Sequence, residues 1–207
     1  VANWSWAERL CSEAQVADLA RSWFRILEAL VDHAATAKHG GFTPSDLPLV
    51  ALSQAEIERI EAEQPPLEDV LPLASLQEGL LFHALYDEGA ADIYVVQMQF
   101  ALAGPLVPEA LRAAAQALLR RHANLRAAFF HHGLNTPVQV IPREVAVPWQ
   151  EMDLSGLAAS ERDQQLAQFL KDDQVRRFDL AHSPLLRFAL IKLGAQQHRL
   201  VITNHHL

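Results

Sequence analysis

Cysteine is nearly absent from this sequence. Cys11 stands alone among 207 residues, which excludes an intrachain disulfide and any cysteine-rich metal site and fits a reducing cytoplasm. An excess of positive charge is missing too: 17 Lys and Arg against 25 Asp and Glu give a net charge of -8, with the two signs interspersed. A nucleic-acid or anionic-lipid surface needs clustered bases, so neither partner is expected. No apolar run is long enough to span a bilayer and no secretory leader is visible, so the expected location is cytoplasmic. Half of the residues are apolar, enough for an ordinary globular core. Val1 is not an initiator methionine and the first residues already read as structured protein. The expectation is a piece of a larger protein, cut at both ends.

Ala2 to Trp6 alternates like a short strand, and Ser12 with Gln15 forms a capping-box pattern. A long helix follows, because Val16, Leu19, Ala20, Trp23, Leu27, Leu30, Val31 and Ala34 recur at three- and four-residue spacing. That apolar face needs a partner surface. Gly40 to Pro48 is rich in turn formers and lacks a period, so it reads as an extended linker. Ser53 with Glu56 makes a second capping box before a short polar helix, which Pro65-Pro66 ends. The domain boundary is placed there.

From Leu67 helices and strands alternate, the pattern of an α/β layered domain. Pro72 to His83 reads as a loop entering a helix, with Ser75 and Glu78 as its capping box. Tyr94, Val96, Met98, Phe100 and Leu102 alternate along a strand, and Pro108 opens an alanine-rich helix to Arg121. Strands are expected at Val138 to Ile141 and Val145 to Trp149, and a helix from Ser160 to Arg177. Leu185 to Leu193 and Arg199 to Thr203 should form a hairpin across a Gly-containing turn.

His205 and His206 are adjacent at the end of the last strand. On an extended backbone they point to opposite faces, so one can face a cavity while the other packs below it. Adjacent strand residues are poorly arranged to chelate one metal, and no other ligand cluster is visible, so no metal is expected. The alternative is a solvated strand end. His131-His132 beside Gly133 is the same dipeptide in a turn context and reads as an exposed loop. Arg126, between Leu125 and Phe129 where a helix gives way to a strand, is either a surface arginine or an interior salt bridge that braces a site; burying it requires a carboxylate partner. Phe178 to Leu180 followed by Ser183 to Arg187 reads as an architectural turn into a strand.

Taken in order, these segments resemble the N-terminal lobe of a condensation domain from a nonribosomal peptide synthetase. Pro72 to His83 resembles the family's first core motif. Arg121 to Phe129 resembles the second, RHExLRTxF, with Ala123 in place of Glu and Ala127 in place of Thr. Asn204-His205-His206 resembles the start of the third, HHxxxDG, whose Asp and Gly would lie beyond Leu207. Phe178 to Arg187 resembles the family's FDL…PLLR strand entry. The wording Leu76 to His83 looks most like domains that accept a donor ending in a D-residue. Asn3 to Trp6, the long helix and Gly41 to Leu49 resemble the tail and following linker of an epimerization or other condensation-like domain.

The resemblance implies residues 1–39 as such a tail, 40–66 as a linker and 67–207 as the N-terminal lobe of a chloramphenicol acetyltransferase-like fold, truncated within the third motif. It implies His206 as the catalytic residue, orienting or deprotonating an acceptor amine, with His205 structural and Arg126 paired with the motif's Asp beyond Leu207. The implied partners are the C-terminal lobe, an upstream epimerization domain, and donor and acceptor peptidyl carrier domains. No cofactor is bound directly; the phosphopantetheine arms belong to the carriers. The fragment alone is expected to be inactive and to self-associate. An epimerization domain, or a catalytically dead condensation-like domain that recruits a tailoring enzyme, are the alternative functions.

Overall fold

The computed structural model describes residues 2–36, 41–86 and 92–207. Two compact units are present, Val1–Gly41 and Phe42–Leu207. In the first, Ser12 and Gln15 make the expected reciprocal cap, Ser12 N–H donating to Gln15 Oε1 at 2.9 Å and Gln15 N–H to Ser12 Oγ at 3.3 Å. The helix α1 (Glu13–Thr36) follows. Its apolar residues Leu19, Ile26, Leu30 and Val31 are exposed, and Trp4 meets Trp23 edge-on with ring centroids 5.9 Å apart. Ala2 to Trp6 is not a strand. Alternation alone makes no ladder, and no strand lies among the described residues of this unit to pair with it.

The second unit carries α2 (Gln54–Glu63), β1 (Leu67–Pro72), α3 (Ser75–Tyr86), β2 (Val95–Ala103), α4 (Pro108–Arg121), β3 (Ala128–Phe130), β4 (Val138–Pro142), β5 (Trp149–Asp153), α5 (Ala159–Val175), β6 (Leu186–Gly194) and β7 (Gln197–His205). The strands form two sheets, ordered β1-β4-β3 and β2-β7-β6-β5. All pairs are antiparallel except β5 with β6, whose crossover is α5. The hairpin β6-β7 pairs Leu186 with Asn204 and closes at Gly194 and Gln197, as the turn signal predicts.

The segment from Gly41 to Pro48, expected to be extended, contains and is followed closely by residues that pack onto the domain. Leu47, Leu52, Ile57 and Ile60 are buried against Leu67, Val70, Ala128, Phe130 and Val140. Each such side chain contributes about 1.5–3 kcal/mol when fully buried, an upper estimate, so the segment is held as part of the domain. Turn-rich composition reports the absence of a period and is blind to isolated leucines that anchor an irregular chain. The Ser53–Glu56 capping box forms as expected, with Ser53 N–H donating to Glu56 Oε2 at 2.8 Å. Gly133 helps to dock α2: it sits at φ +65°, its carbonyl accepts from Arg59 Nη1 at 2.6 Å, and a Cβ there would lie 2.3 Å from that nitrogen.

Three local expectations shift. The helix α3 starts at Ser75, so the reciprocal contact is made by Gln77, whose Oε1 accepts Ala74 N–H at 2.9 Å. The strand expected at Val145 to Trp149 begins only at Trp149. Pro148 has no N–H for a ladder, and its carbonyl instead accepts Phe188 N–H at 2.9 Å at the start of the β5-β6 pairing. Arg126 lies in a 3-10 turn, Ala123–Arg126, rather than on a strand.

Candidate active site

Five pieces of chain converge at the C-terminal end of β7. Beside Asn204, His205 and His206 lie the 3-10 turn with Asn124, Leu125 and Ala127, the start of β6 with Leu185 and Leu186, Phe129 of β3, Gln139 of β4 and Gln77 of α3. Together they line a cavity of about 280 Å³. Its polar lining, apart from the two histidines, consists of the neutral amides Gln77, Asn124, Gln139 and Asn204.

The histidine pair divides as strand geometry requires. His206 is exposed at the cavity, whereas the His205 side chain is 0 % exposed and lies in its wall. His205 Nδ1 accepts Leu207 N–H at 3.0 Å, and its Nε2 lies 3.2 Å from Asp92 Oδ2, within ion-pair distance though not well aligned for a hydrogen bond. Burial pushes the His205 imidazole below its ordinary value, and Arg177 and His206 add to that, while Asp92 acts in the opposite sense. His206 is fixed through its backbone, its N–H donating to Tyr94 O at 2.8 Å.

Arg126 does not line the cavity; it braces the turn that does. Its guanidinium donates to Pro142 O at 2.9 Å, Leu119 O at 2.6 Å and Arg120 O at 2.9 Å, and it pairs with Glu68. The side chain is 4 % exposed, so it is an interior arginine and the carboxylate that burial demands comes from β1. Ser183 Oγ donates to Arg126 O, tying the same turn to the chain that enters β6.

A second buried network centres on Arg187, which the sequence places only at the end of an architectural turn into a strand. Arg187 Nε donates to Asp173 Oδ1 at 2.7 Å, and Asp173 Oδ2 accepts from Thr203 Oγ1 and from Gln97 Nε2, the latter at 3.1 Å. The Arg187 guanidinium also lies 4.2 Å above the Phe178 ring. Burial pushes the Asp173 carboxyl up, but the hydrogen bonds from Thr203, Arg187 and Gln97 outweigh it and hold it below the ordinary carboxylate range. One carboxylate thus locks α5 to β2, β6 and β7, the frame that carries the histidine pair.

Asp92 is missed by sequence reasoning, because it is an isolated polar residue just before β2 and no periodicity marks it. Tyr94, Asn124 and Gln139 read from the sequence only as parts of a strand, a motif and a strand, with no role at the site. Among the described residues no group of three or more His, Cys, Asp or Glu could hold a metal ion, and no helix is long and apolar enough to cross a membrane.

Comparison with known proteins gives consistent findings. The Condensation domain family profile matches residues 67–207. A linear gramicidin synthase polypeptide from Brevibacillus parabrevis is 37% identical over 205 residues, which is 99% of this chain and 4% of that protein. Bacitracin synthase 1 from Bacillus licheniformis is 32% identical over 194 residues, 93% of this chain and 4% of that protein. The chain therefore spans a small part of these relatives. Among solved structures, the first condensation domain of the calcium-dependent antibiotic synthetase superposes with a TM-score of 0.57 at 21% identity, covering 65% of this chain and 32% of the other. The starter condensation domain of rhizomide synthetase gives 0.58 at 20%, covering 66% and 32%. At such identity the superposition speaks to the fold, which is the chloramphenicol acetyltransferase-like one of condensation domains.

Proposed function

Because the chain belongs to the condensation-domain family of nonribosomal peptide synthetases, we propose that its cavity is one wall of a site where a carrier-bound acceptor amine attacks a carrier-bound donor thioester. The observation that carries this reading is His206: an imidazole exposed at a cavity lined by neutral amides, on a backbone fixed to the neighbouring strand. The amine nitrogen forms a C–N bond to the thioester carbonyl carbon and the C–S bond breaks. His206 orients the amine or takes its proton, and the leaving thiolate is then protonated. An imidazole titrates near neutral pH, and a positioned base contributes roughly 10²–10⁴-fold. Bringing two tethered reactants together supplies much of the remainder.

His205 and Arg126 act as structural residues of this site, one in its wall and one behind the turn. The substrate arms are the phosphopantetheine groups of donor and acceptor carrier domains, and the amide lining suits such neutral, amide-bearing chains. The wording from Leu76 to His83 supports a donor ending in a D-residue. Residues 1–39 are then the tail of an upstream epimerization or condensation-like domain, and a C-terminal lobe supplies the opposite wall.

The test is a single-turnover assay of the complete synthetase with loaded carriers. His206→Ala should abolish dipeptidyl product, and a donor ending in the D-residue should be used in preference to its L-epimer. Wild-type product formation by the variant would remove His206 from the chemistry.

A further inference from the structure

His206 is held at both of its peptide bonds, and both holds lead back to one side chain. Its own N–H donates to Tyr94 O at 2.8 Å, and the next N–H, that of Leu207, donates to His205 Nδ1 at 3.0 Å. Tyr94 is fixed in turn because its N–H donates to Asp92 Oδ1 at 3.0 Å. His205 Nε2 lies 3.2 Å from Asp92 Oδ2, within reach of it though not aligned as a hydrogen bond, with the two side chains 0 % and 3 % exposed. We propose that Asp92 is a positioning residue for His206, a clasp whose two carboxylate oxygens hold the peptides on either side of it.

The chemistry of the clasp dictates a tautomer. Nδ1 of His205 accepts a backbone N–H, so it carries no proton, and the proton of the neutral ring sits on Nε2, facing Asp92 Oδ2. Burial keeps the ring neutral. The Tyr94 ring packs edge-on against the imidazole, with centroids 6.1 Å apart, and limits its rotation. Among the described residues no hydrogen bond or ion pair joins His206 to Asp92, so the proposed action of Asp92 on it runs through backbone. This inference rests on the catalytic reading of His206 above, while the clasp itself does not.

Asp92→Asn separates the two holds. The asparagine carbonyl oxygen still accepts Tyr94 N–H, but its amide now presents N–H groups to His205 Nε2. Two donors facing each other drive the ring proton to Nδ1, and the hold on Leu207 is lost. In the complete synthetase the variant should lose about 10- to 100-fold in kcat with donor and acceptor KM unchanged, the size expected of a small misplacement of a reacting group. In the 15N spectrum of this chain the two His205 ring nitrogens should exchange their protonated and unprotonated shifts. Unaltered kcat, or a lower kcat with an unaltered tautomer, overturns the clasp. If the variant fails to fold, the wild-type spectrum decides: a protonated Nδ1 at His205 overturns the proposal. If the wild-type synthetase forms no peptide bond, the catalytic reading falls and the ring-nitrogen spectrum still tests the clasp.

Discussion

Arg187 Nε donates to Asp173 Oδ1 at 2.7 Å, with the two side chains 10% and 6% exposed. This pair sits where α5 meets three strands, so removing one partner strands the other. Asp173→Ala should destabilise the chain by about 3–5 kcal/mol, read from urea denaturation. A loss under about 1 kcal/mol would mean that water reaches the pair and screens it.

Stability should fall with acid in two separate windows. Burial lowers His205, so the unfolded chain takes up its proton first as pH falls. The stability that the neutral ring contributes is present above the unfolded value near 6.5 and is lost below it, down to the folded value. Asp173 is also lowered, so its contribution is present above about 3.9 and is lost below that. Unfolding free energy from pH 8 to 3 should show both declines. His205→Gln should remove the upper one alone; if that step persists, another group causes it.

Arg126 should prove structural in a way that lysine does not replace. Arg126→Ala leaves the carbonyls of Leu119, Arg120 and Pro142 without their donor and should cost roughly 2–5 kcal/mol. Glu68 is half exposed and can rehydrate, which keeps the loss from being larger. Arg126→Lys cannot reproduce the fork and should recover less than half of the loss in thermal or urea unfolding.

His206 is exposed and its side chain braces nothing, so His206→Ala should change unfolding free energy by no more than about 0.5 kcal/mol. Calorimetry of the two proteins checks this. A loss of several kcal/mol would show that the variant's inactivity reports folding instead of chemistry.

The exposed apolar residues of α1 predict self-association of this chain. Sedimentation velocity over a concentration series should show species larger than the monomer, and Leu19→Glu with Leu30→Glu should abolish them. A monomer at all concentrations would count against the prediction.

Most elements were legible because their signals are local. Pro108 and the alanine-rich run mark α4 from its first residue, and the Gly-containing turn marks the β6-β7 hairpin. The Ser53–Glu56 cap is equally local. The histidine pair was visible as a dipeptide, and its division between wall and cavity follows from the two-residue period of a strand. The packing of Leu47 and Leu52 onto the domain left no local signal, and the expected strand from Val145 starts only at Trp149, after Pro148, which offers no N–H to a ladder.

The sequence by itself determined the helices, the hairpin, the ordered motifs and the position of the two histidines, because periodicity, caps and turn residues act over a few positions. Only tertiary structure decided which partners the buried polar groups take. Arg126 finds Glu68 across 58 positions, Arg187 finds Asp173 across 14, and His205 meets Asp92 on a neighbouring strand's approach. A buried charge must be matched by whatever the fold brings within about 3 Å, and that choice depends on how sheets and helices stack, which no local pattern encodes.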